Sequence, residues 1–232
     1  MNSRTKTRQG GFTIVELMIA TTVLSVMLIL ATTLIINIGN LYYKGITQSQ
    51  VQDDVRNIAD EIGQQLSLNG VKPLSDVPVG GPTAGVPYHF CVGATRYTYV
   101  VGKQIGPVPH VLWRDTLASA SSPCDNTGVD ITMTTPSANG SELIAPHSRL
   151  VSFNISLTAP YTLTIRIADG DDDLLCSPSV SVSGIPSCDK NAGPLTVAGD
   201  FIRSDIQCKG SVGDQFCGVS TLTSVISPRI SN

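Results

Sequence analysis

A single carboxylate lies inside the most apolar stretch of the sequence. Glu16 is the only charged residue between Phe12 and Tyr43. Placing a carboxylate in hydrocarbon costs roughly 2.5–3.5 kcal/mol on insertion scales, so such a residue usually has a function and a partner. The chemistry that this position suggests is neutralisation by a cation in an apolar environment.

A second set of carboxylates forms the densest acidic run of the chain, Asp169–Asp173. Hard cations such as Ca²⁺ prefer several carboxylate ligands, which makes Asp169, Asp171 and Asp173 candidate calcium ligands. The spacing does not follow the EF-hand, because its turn glycine would fall at Leu174. We therefore interpret the run as a solvated Asp-Gly turn after a strand, with calcium binding as the alternative.

Six cysteines form a third set, all in the C-terminal two-thirds of the chain: Cys91, Cys124, Cys176, Cys188, Cys208 and Cys217. No pair has C-x-x-C spacing and the histidines do not cluster with them, which disfavours a zinc site. An even number of cysteines in an exported domain indicates disulfides in an oxidising compartment. Of the 15 possible connectivities, sequence proximity suggests Cys208–Cys217 and Cys176–Cys188, which leaves Cys91–Cys124.

No set of residues predicts an enzyme. The sequence contains no G-x-S-x-G motif, P-loop or dinucleotide fingerprint. Without Arg4, Lys6 and Arg8, the remaining 12 basic residues face 18 acidic ones, and this acidic balance argues against nucleic acid as a direct partner. We predict neither catalysis nor a required cofactor.

The elements that position Glu16 begin with a leader. Residues 1–11 are polar and basic and end in two glycines, whereas residues 12–36 are mainly apolar. A helix of about 25 residues rises about 38 Å, enough to cross a hydrocarbon core of about 30 Å. The basic leader predicts a cytoplasmic N-terminus, with the C-terminal body outside the cytoplasmic membrane.

The helical pattern continues beyond the apolar segment. Apolar residues recur in steps of three and four along an otherwise polar stretch, at Val51, Val55, Ile58, Ile62 and Leu66. This pattern predicts one stalk helix over residues 12–68, with an apolar stripe that packs on a globular head. The Gly- and Pro-rich residues 69–87 are typical of a connecting loop.

Residues 88–232 have a short, alternating pattern typical of strands, and with the six cysteines they predict a disulfide-containing β-rich head. The candidate strands are Tyr88–Val92, Thr95–Val101, Val108–Arg114, Leu150–Leu157, Tyr161–Ala168, Val180–Ser183, Leu195–Ile202 and Gly218–Ile226. Thr158-Ala159-Pro160 suits a hairpin between two of them. The predicted fold class is α+β, with one antiparallel sheet covering the apolar stripe of the long N-terminal helix.

The run Gly11-Phe12-Thr13-Ile14-Val15-Glu16-Leu17 resembles the signal of type IV pilins and of the pseudopilins of type II secretion. The resemblance implies that a prepilin peptidase cuts between Gly11 and Phe12 and then methylates the amine of Phe12. Glu16 occupies the fifth mature position, where the family's hallmark glutamate guides assembly into a filament. The family also has a long N-terminal helix and a β-sheet head.

The implied chemistry has a physical basis. Cutting removes the leader and creates a cation at Phe12, whose charge is kept on methylation. This cation and the Glu16 carboxylate can neutralise each other between neighbouring subunits. An intrachain pair is the alternative, because the two residues are four apart on one helix face. Many type IV pilins have a proline where this chain has Thr33, which leaves open whether the helix melts locally in a filament.

Three functions remain open on the sequence. The first is a structural subunit of a type IV pilus-like filament, favoured here as a minor pilin because the head is large and rich in cysteine. The second is a pseudopilin of a type II secretion or DNA-uptake system, and the third is a membrane-anchored binding module or adhesin. The resemblance implies as partners other pilins, the prepilin peptidase, and an inner-membrane platform with its assembly ATPase. It places the chain in the cytoplasmic membrane first and then in an extracellular or periplasmic filament.

Overall fold

The computed structural model of the chain describes residues 11–68, 73–78, 81–105, 110–117, 124, 140–176, 179–180, 186–188, 206–210 and 213–229. The chain divides into two compact units, an N-terminal unit of Met1–Tyr42 and a head unit of Tyr43–Asn232. The predicted strand Leu195–Ile202 lies outside the described residues.

The first element is helix α1, Ile14–Leu68, with 55 residues. It contains no proline, and it continues through Gly39 and Asn40, the two weak helix formers near its middle. The predicted helix over residues 12–68 is therefore correct at its C-terminal end. It is two residues too long at its start, where Phe12 and Thr13 precede the first helical residue.

Among the described residues, twelve strands and one short 3₁₀ helix, Asp214–Phe216, follow α1. The strands are β1 Leu74–Ser75, β2 Pro87–Val92, β3 Thr95–Val100, β4 Leu112–Thr116, β5 Ser141–Glu142, β6 Ser148–Ile155, β7 Tyr161–Asp169, β8 Leu175–Cys176, β9 Ser179–Val180, β10 Pro186–Ser187, β11 Gln207–Cys208 and β12 Gly218–Ile226.

The described strands form two principal antiparallel sheets. One has the order β1-β2-β3-β4-β5 and the other has the order β12-β7-β6. Two small pairs, β9 with β10 and β8 with β11, complete the strand pairing. Strands β6 and β7 form the hairpin that Thr158-Ala159-Pro160 predicted.

The prediction of a single antiparallel sheet is therefore wrong in detail, although the α+β class is confirmed. Backbone hydrogen bonds join the two principal sheets at one end, where Gly102 N–H donates to the Leu150 carbonyl at 2.8 Å and Ile105 N–H donates to the Ser148 carbonyl at 3.1 Å. Alternating patterns identify strands but do not specify which strands pair, because pairing depends on contacts between distant segments.

Strand boundaries also shift. The predicted strand Val108–Arg114 is observed as β4, which begins at Leu112, and Leu150–Leu157 is observed as β6, which begins and ends two residues earlier. Of Val180–Ser183, the structure describes Val180 in β9. The long strands β7 and β12 were predicted almost completely, because their alternation is the most regular in the head.

The apolar stripe of α1 lies in the main core. Its five residues are each at most 2% exposed, which confirms the predicted packing face. They belong to one cluster with inward side chains of both principal sheets, including Phe90, Tyr97, Tyr99, Phe153, Leu163 and Ile165. The Tyr99 and Phe153 rings pack with centroids 4.5 Å apart. Burying each large side chain contributes about 1.5–3 kcal/mol, so this cluster is the main source of the head unit's stability.

The head unit also buries charge. Arg96 on β3 and Asp115 on β4 are direct cross-strand neighbours and are each 3% exposed. Arg96 Nε donates to Asp115 Oδ1 at 2.9 Å and Nη2 donates to Oδ2 at 2.6 Å. These two hydrogen bonds take the place of those that each ion would form with water.

Strand β12 runs beside α1 in the same direction. At its start, a Cβ on Gly218 would lie 3.1 Å from Val51 Cγ2 and 3.3 Å from the Thr47 carbonyl oxygen, so glycine permits the close approach. At its end, the Ile226 side chain lies over Gly63. The residues that precede β12 hold the same part of the helix, since Thr47 Oγ1 donates to the Gln215 carbonyl at 3.0 Å.

Candidate functional site

Glu16 and Thr13 together form the N-terminus of α1. The Glu16 backbone N–H lies 3.3 Å from Thr13 Oγ1, to which it donates, and Glu16 Oε2 accepts at 2.9 Å from the Thr13 backbone N–H. The Thr13 hydroxyl also lies 2.9 Å from the same carboxylate oxygen. Thr13 is thus the N-cap and Glu16 the third helical residue of a capping box, in which each side chain bonds the other residue's N–H.

Thr13 is a residue that the sequence analysis missed. The available signal was the T-x-x-E spacing immediately before an apolar run, which is the sequence form of a capping box. The box explains why α1 begins at Ile14 and why Glu16 has an interaction inside its own chain. Within the described residues, however, Glu16 forms no ion pair, so the carboxylate has hydrogen-bond donors but no countercharge.

Gly11 and Phe12 lie just outside the helix. Both residues are exposed, and the Phe12 side chain is 85% exposed. Among the described residues, no atom beyond the chain neighbours lies within 4 Å of the position that a Gly11 Cβ would occupy. Packing among the described residues therefore does not require glycine at position 11.

The apolar stretch of α1 is exposed on all sides. Every described residue from Phe12 to Ile38 is exposed, and this includes nearly all of the large apolar side chains of the N-terminal unit. By length and composition, α1 contains a segment apolar enough to cross a membrane. A helix that is apolar all round needs an apolar environment, either lipid or other protein.

The hydroxyl groups of this stretch are satisfied inside the helix. The five serine and threonine hydroxyls between residues 14 and 36 each donate to a carbonyl three or four residues earlier, at residues 21, 22, 25, 32 and 33. Such internal bonds let a hydroxyl enter hydrocarbon without an unpaired donor. Glu16 is the one charged side chain of the stretch, and its described partners are the backbone N–H and the hydroxyl of Thr13.

The cysteines of the head unit lie in three pairs. The structure joins Cys91 to Cys124, Cys176 to Cys188 and Cys208 to Cys217, with Cα atoms 5.9, 5.9 and 5.8 Å apart. These separations are normal for disulfides. The pairs are the ones that sequence proximity suggested, and no free cysteine remains among the six.

The acidic run does not gather into one site. Asp169 is partly buried at the end of β7 and accepts a hydrogen bond from Ser148 Oγ at 3.2 Å, whereas Asp171 and Asp173 are exposed. Burial raises the pKa of Asp169 above its ordinary value, and the Ser148 bond opposes that shift. Within the described residues, no group of three or more His, Cys, Asp or Glu side chains is placed to hold a metal ion.

Asp172, which was not a candidate ligand, has the clearest role in this run. It forms an ion pair with Arg149, whose side chain is 2% exposed. Burial lowers the pKa of Arg149, and the hydrogen bond and charge of Asp172 oppose that effect. This carboxylate therefore compensates a buried cation of the head unit, a structural role that the sequence did not indicate.

Comparison with known proteins identifies the N-terminal segment. Residues 6–32 match the family described as the prokaryotic N-terminal methylation motif, which is the signal of type IV prepilins. The match contains the Gly11–Phe12 junction, Thr13 and Glu16. No curated protein and no solved structure matches the chain.

The chain therefore carries a type IV prepilin signal, which confirms the resemblance seen in the sequence. The motif implies processing by a prepilin peptidase and assembly with other pilin subunits. The exposed apolar helix fits membrane anchoring before that assembly. The pilin layout of a long N-terminal helix followed by antiparallel sheets is also present, and the family that this motif defines is structural, not enzymatic.

Proposed function

We propose that this chain is a subunit of a type IV pilus-like filament, made as a precursor that is cut between Gly11 and Phe12. The observation that carries the proposal is the exposed Gly11–Phe12 junction directly before a capped apolar helix, inside a match to the methylation motif. An exposed, non-helical peptide can enter a protease cleft without unfolding the helix. Glycine at the junction lets the backbone lie close to the protease.

Assembly follows from the charge that remains after cutting. The new amine of Phe12, methylated and still cationic, pairs with Glu16 of a neighbouring subunit within the apolar filament core. Before cutting, the capping box with Thr13 holds Glu16 at the helix N-terminus. The apolar stretch of α1 then exchanges lipid for the same stretch of other subunits.

Within the filament we assign the chain to the minor pilins. The large head unit and its three disulfides support this assignment, because they make the head more elaborate than a simple packing module requires. The head lies outside the cytoplasmic membrane, where disulfides persist, and the leader lies in the cytoplasm. An inner-membrane platform and its ATPase supply the work of extraction, and the chain itself needs no cofactor.

N-terminal analysis of the mature protein by mass spectrometry tests the proposal. The expected result is a chain that starts at methylated Phe12, and loss of processing in Gly11→Val because valine blocks the close backbone approach. Gly10→Val is the matched control, with the same added side chain one residue from the scissile bond, and it is expected to be processed. Assembled protein that retains Met1 contradicts the proposal.

Two further measurements refine it. Quantification of the chain in sheared filaments separates a minor pilin, which is present at a low ratio to the major subunit, from a pseudopilin, which is retained at the cell envelope.

Calorimetric titration with Ca²⁺ tests the absence of a cofactor, and binding heat that disappears in Asp171→Asn would instead establish a calcium site at Asp169, Asp171 and Asp173.

A further inference from the structure

Within the part of the chain that the structure describes, strand β12 is the outer edge of the three-stranded sheet, and we refer to its side away from β7 as the open edge. It pairs with β7 along all nine residues of Gly218–Ile226, and it is the outermost strand in the order β12-β7-β6. Two grooves of about 210 and 290 Å³ are lined jointly by residues of β12 and of α1. Among the described residues, one hydrogen bond joins α1 to β12, from Gln48 Nε2 to the Val219 carbonyl at 3.1 Å.

The sequence of this edge is the same in both directions. Residues 219–225 are Val-Ser-Thr-Leu-Thr-Ser-Val, symmetric about Leu222. The segment has no charged residue and no proline, two features by which exposed edges are commonly kept from pairing. In an antiparallel pair with an identical strand centred on Leu222, valine lies opposite valine, serine opposite serine and threonine opposite threonine.

The backbone alternation fits the same register. The Val219 carbonyl accepts from Gln48, so it points away from β7 and toward the open edge. Because this direction alternates along a strand, the N–H and C=O groups of Thr221, Thr223 and Val225 also point to the open edge, and no hydrogen bond joins them to another described residue. A pairing centred on Leu222 places these residues opposite one another, so that each pair exchanges two backbone hydrogen bonds.

We propose that β12 is a docking surface for a second copy of this chain, joined edge to edge in an antiparallel pair with a two-fold axis at Leu222. A two-fold interface must be self-complementary, since residue i contacts residue j and residue j contacts residue i. The palindromic edge meets this requirement with uncharged partners, and opposed threonines are favourable cross-strand pairs. The two three-stranded sheets become one sheet of six strands.

The two-fold axis also determines the relative direction of the α1 helices in the two copies that pair. Strand β12 runs in the same direction as the neighbouring part of α1, from Gly218 near Thr47 to Ile226 near Gly63. An antiparallel pair therefore reverses the helix of the second copy. Under the proposed function, subunits of one filament all point the same way, so this pairing joins copies from different filaments or opposed membranes. That consequence rests on the proposed function, whereas the pairing itself does not.

Cysteine cross-linking of the full-length chain tests the register. All six native cysteines are in disulfides, so a single introduced cysteine is the only free thiol. Thr221→Cys and Thr223→Cys chains with different tags are reconstituted one per nanodisc, so that contact through the apolar helices is impossible. The discs are then mixed and mildly oxidised.

The proposed register places Thr221 opposite Thr223 of the second copy, at a Cα distance of about 5.5 Å that a disulfide can bridge. Thr221 and its own equivalent are diagonal neighbours, about 7–8 Å apart, which is too far. The mixture should therefore yield at least about tenfold more cross-linked dimer than either variant alone. Equal yields in all three samples, or no dimer in the mixture, would overturn the proposal.

A charge pair provides the matched second test, measured as capture of one tagged disc by the other. In Thr221→Lys/Thr223→Glu, each lysine faces a glutamate of the second copy, and capture should be retained or increased. In Thr221→Lys/Thr223→Lys, lysines face one another, and capture should fall by at least about tenfold. Equal capture by the two variants would show that Thr221 of one copy does not face Thr223 of the other. Neither outcome depends on cleavage at Gly11, so failure here is distinct from failure of the proposed function.

Discussion

The two parts of α1 differ in where their apolar side chains find partners. From Val51 to Leu66, the apolar stripe is buried by the sheets of its own head unit. From Ile14 to Ile38, apolar side chains occur on every side of the helix, and all of them are exposed. The first pattern completes a core within one chain, whereas the second is stable only when lipid or other subunits surround it.

Charge follows the same division. In the head unit, the buried Arg96 and Asp115 neutralise each other across adjacent strands. In the N-terminal unit, Glu16 has hydrogen bonds from Thr13 but no cation among the described residues. Among the described residues, the buried ion pair of the head unit thus contains its own countercharge, whereas the Glu16 carboxylate of the N-terminal unit has none.

Replacing Glu16 should have the largest effect on assembly. Glu16→Gln removes the charge and leaves a hydrogen-bonding side chain, so insertion and cleavage should continue while the amount of chain in sheared filaments falls by about tenfold or more. The matched variant Thr13→Ala removes the hydroxyl of the capping box and keeps the charge, and it should assemble nearly normally. Equal losses in the two variants would show that helix capping, and not charge, is the role of Glu16.

Breaking the buried ion pair should have the largest effect on stability. Asp115→Asn removes the carboxylate charge that faces the buried Arg96, and the free energy of unfolding should fall by about 3–5 kcal/mol. Chemical denaturation of the full chain in detergent, followed by circular dichroism, measures this change. Asp60→Asn, an exposed carboxylate on α1, is the control and should change stability by less than about 0.5 kcal/mol.

A pair of apolar truncations tests the division of α1 directly. Ile62→Ala opens a cavity in the core of the head unit, because Ile62 is 0% exposed, and it should cost about 2–5 kcal/mol. Leu30→Ala truncates an exposed residue of the apolar stretch and should leave the unfolding of the head unchanged. If both variants destabilised the head equally, the N-terminal stretch would be part of its core.

The smallest predicted effect depends on pH. Burial, followed by the charges of Asp169 and Asp53, raises the pKa of Asp54 above 3.8, so the folded state holds this proton more tightly than the unfolded state. This contribution to stability is present below pH 3.8 and is lost as the pH rises through the folded-state pKa. Asp54→Asn should therefore be more stable than the native chain at pH 7, by less than about 1 kcal/mol, and equally stable at pH 3. Thermal unfolding at the two pH values measures the difference in stability between the variant and the native chain. A variant less stable than the native chain at pH 7 would show that folding does not raise the pKa of Asp54.

Much of the N-terminal unit was predictable because its signals are local. The apolar run, the single carboxylate and the Gly-Phe junction lie within a few residues of one another, and helix formation depends on neighbours three and four residues away. The capping box was equally local, and the spacing from Thr13 to Glu16 was sufficient to predict it. The Val51–Leu66 stripe was correct for the same reason, since its period alone defines a packing face.

The sequence by itself determined where the chain carries its prepilin signal, where α1 ends, and which strands alternate most regularly. Only the tertiary structure decided that the strands divide between two sheets, that Arg96 meets Asp115, and that Asp172 compensates Arg149. It also placed β12 at the outer edge of the described three-stranded sheet, and this position is what makes the symmetric sequence around Leu222 a candidate for strand pairing. The physical reason is that strand pairing and ion pairing join residues far apart in the chain, and no local period encodes which distant segment is the partner.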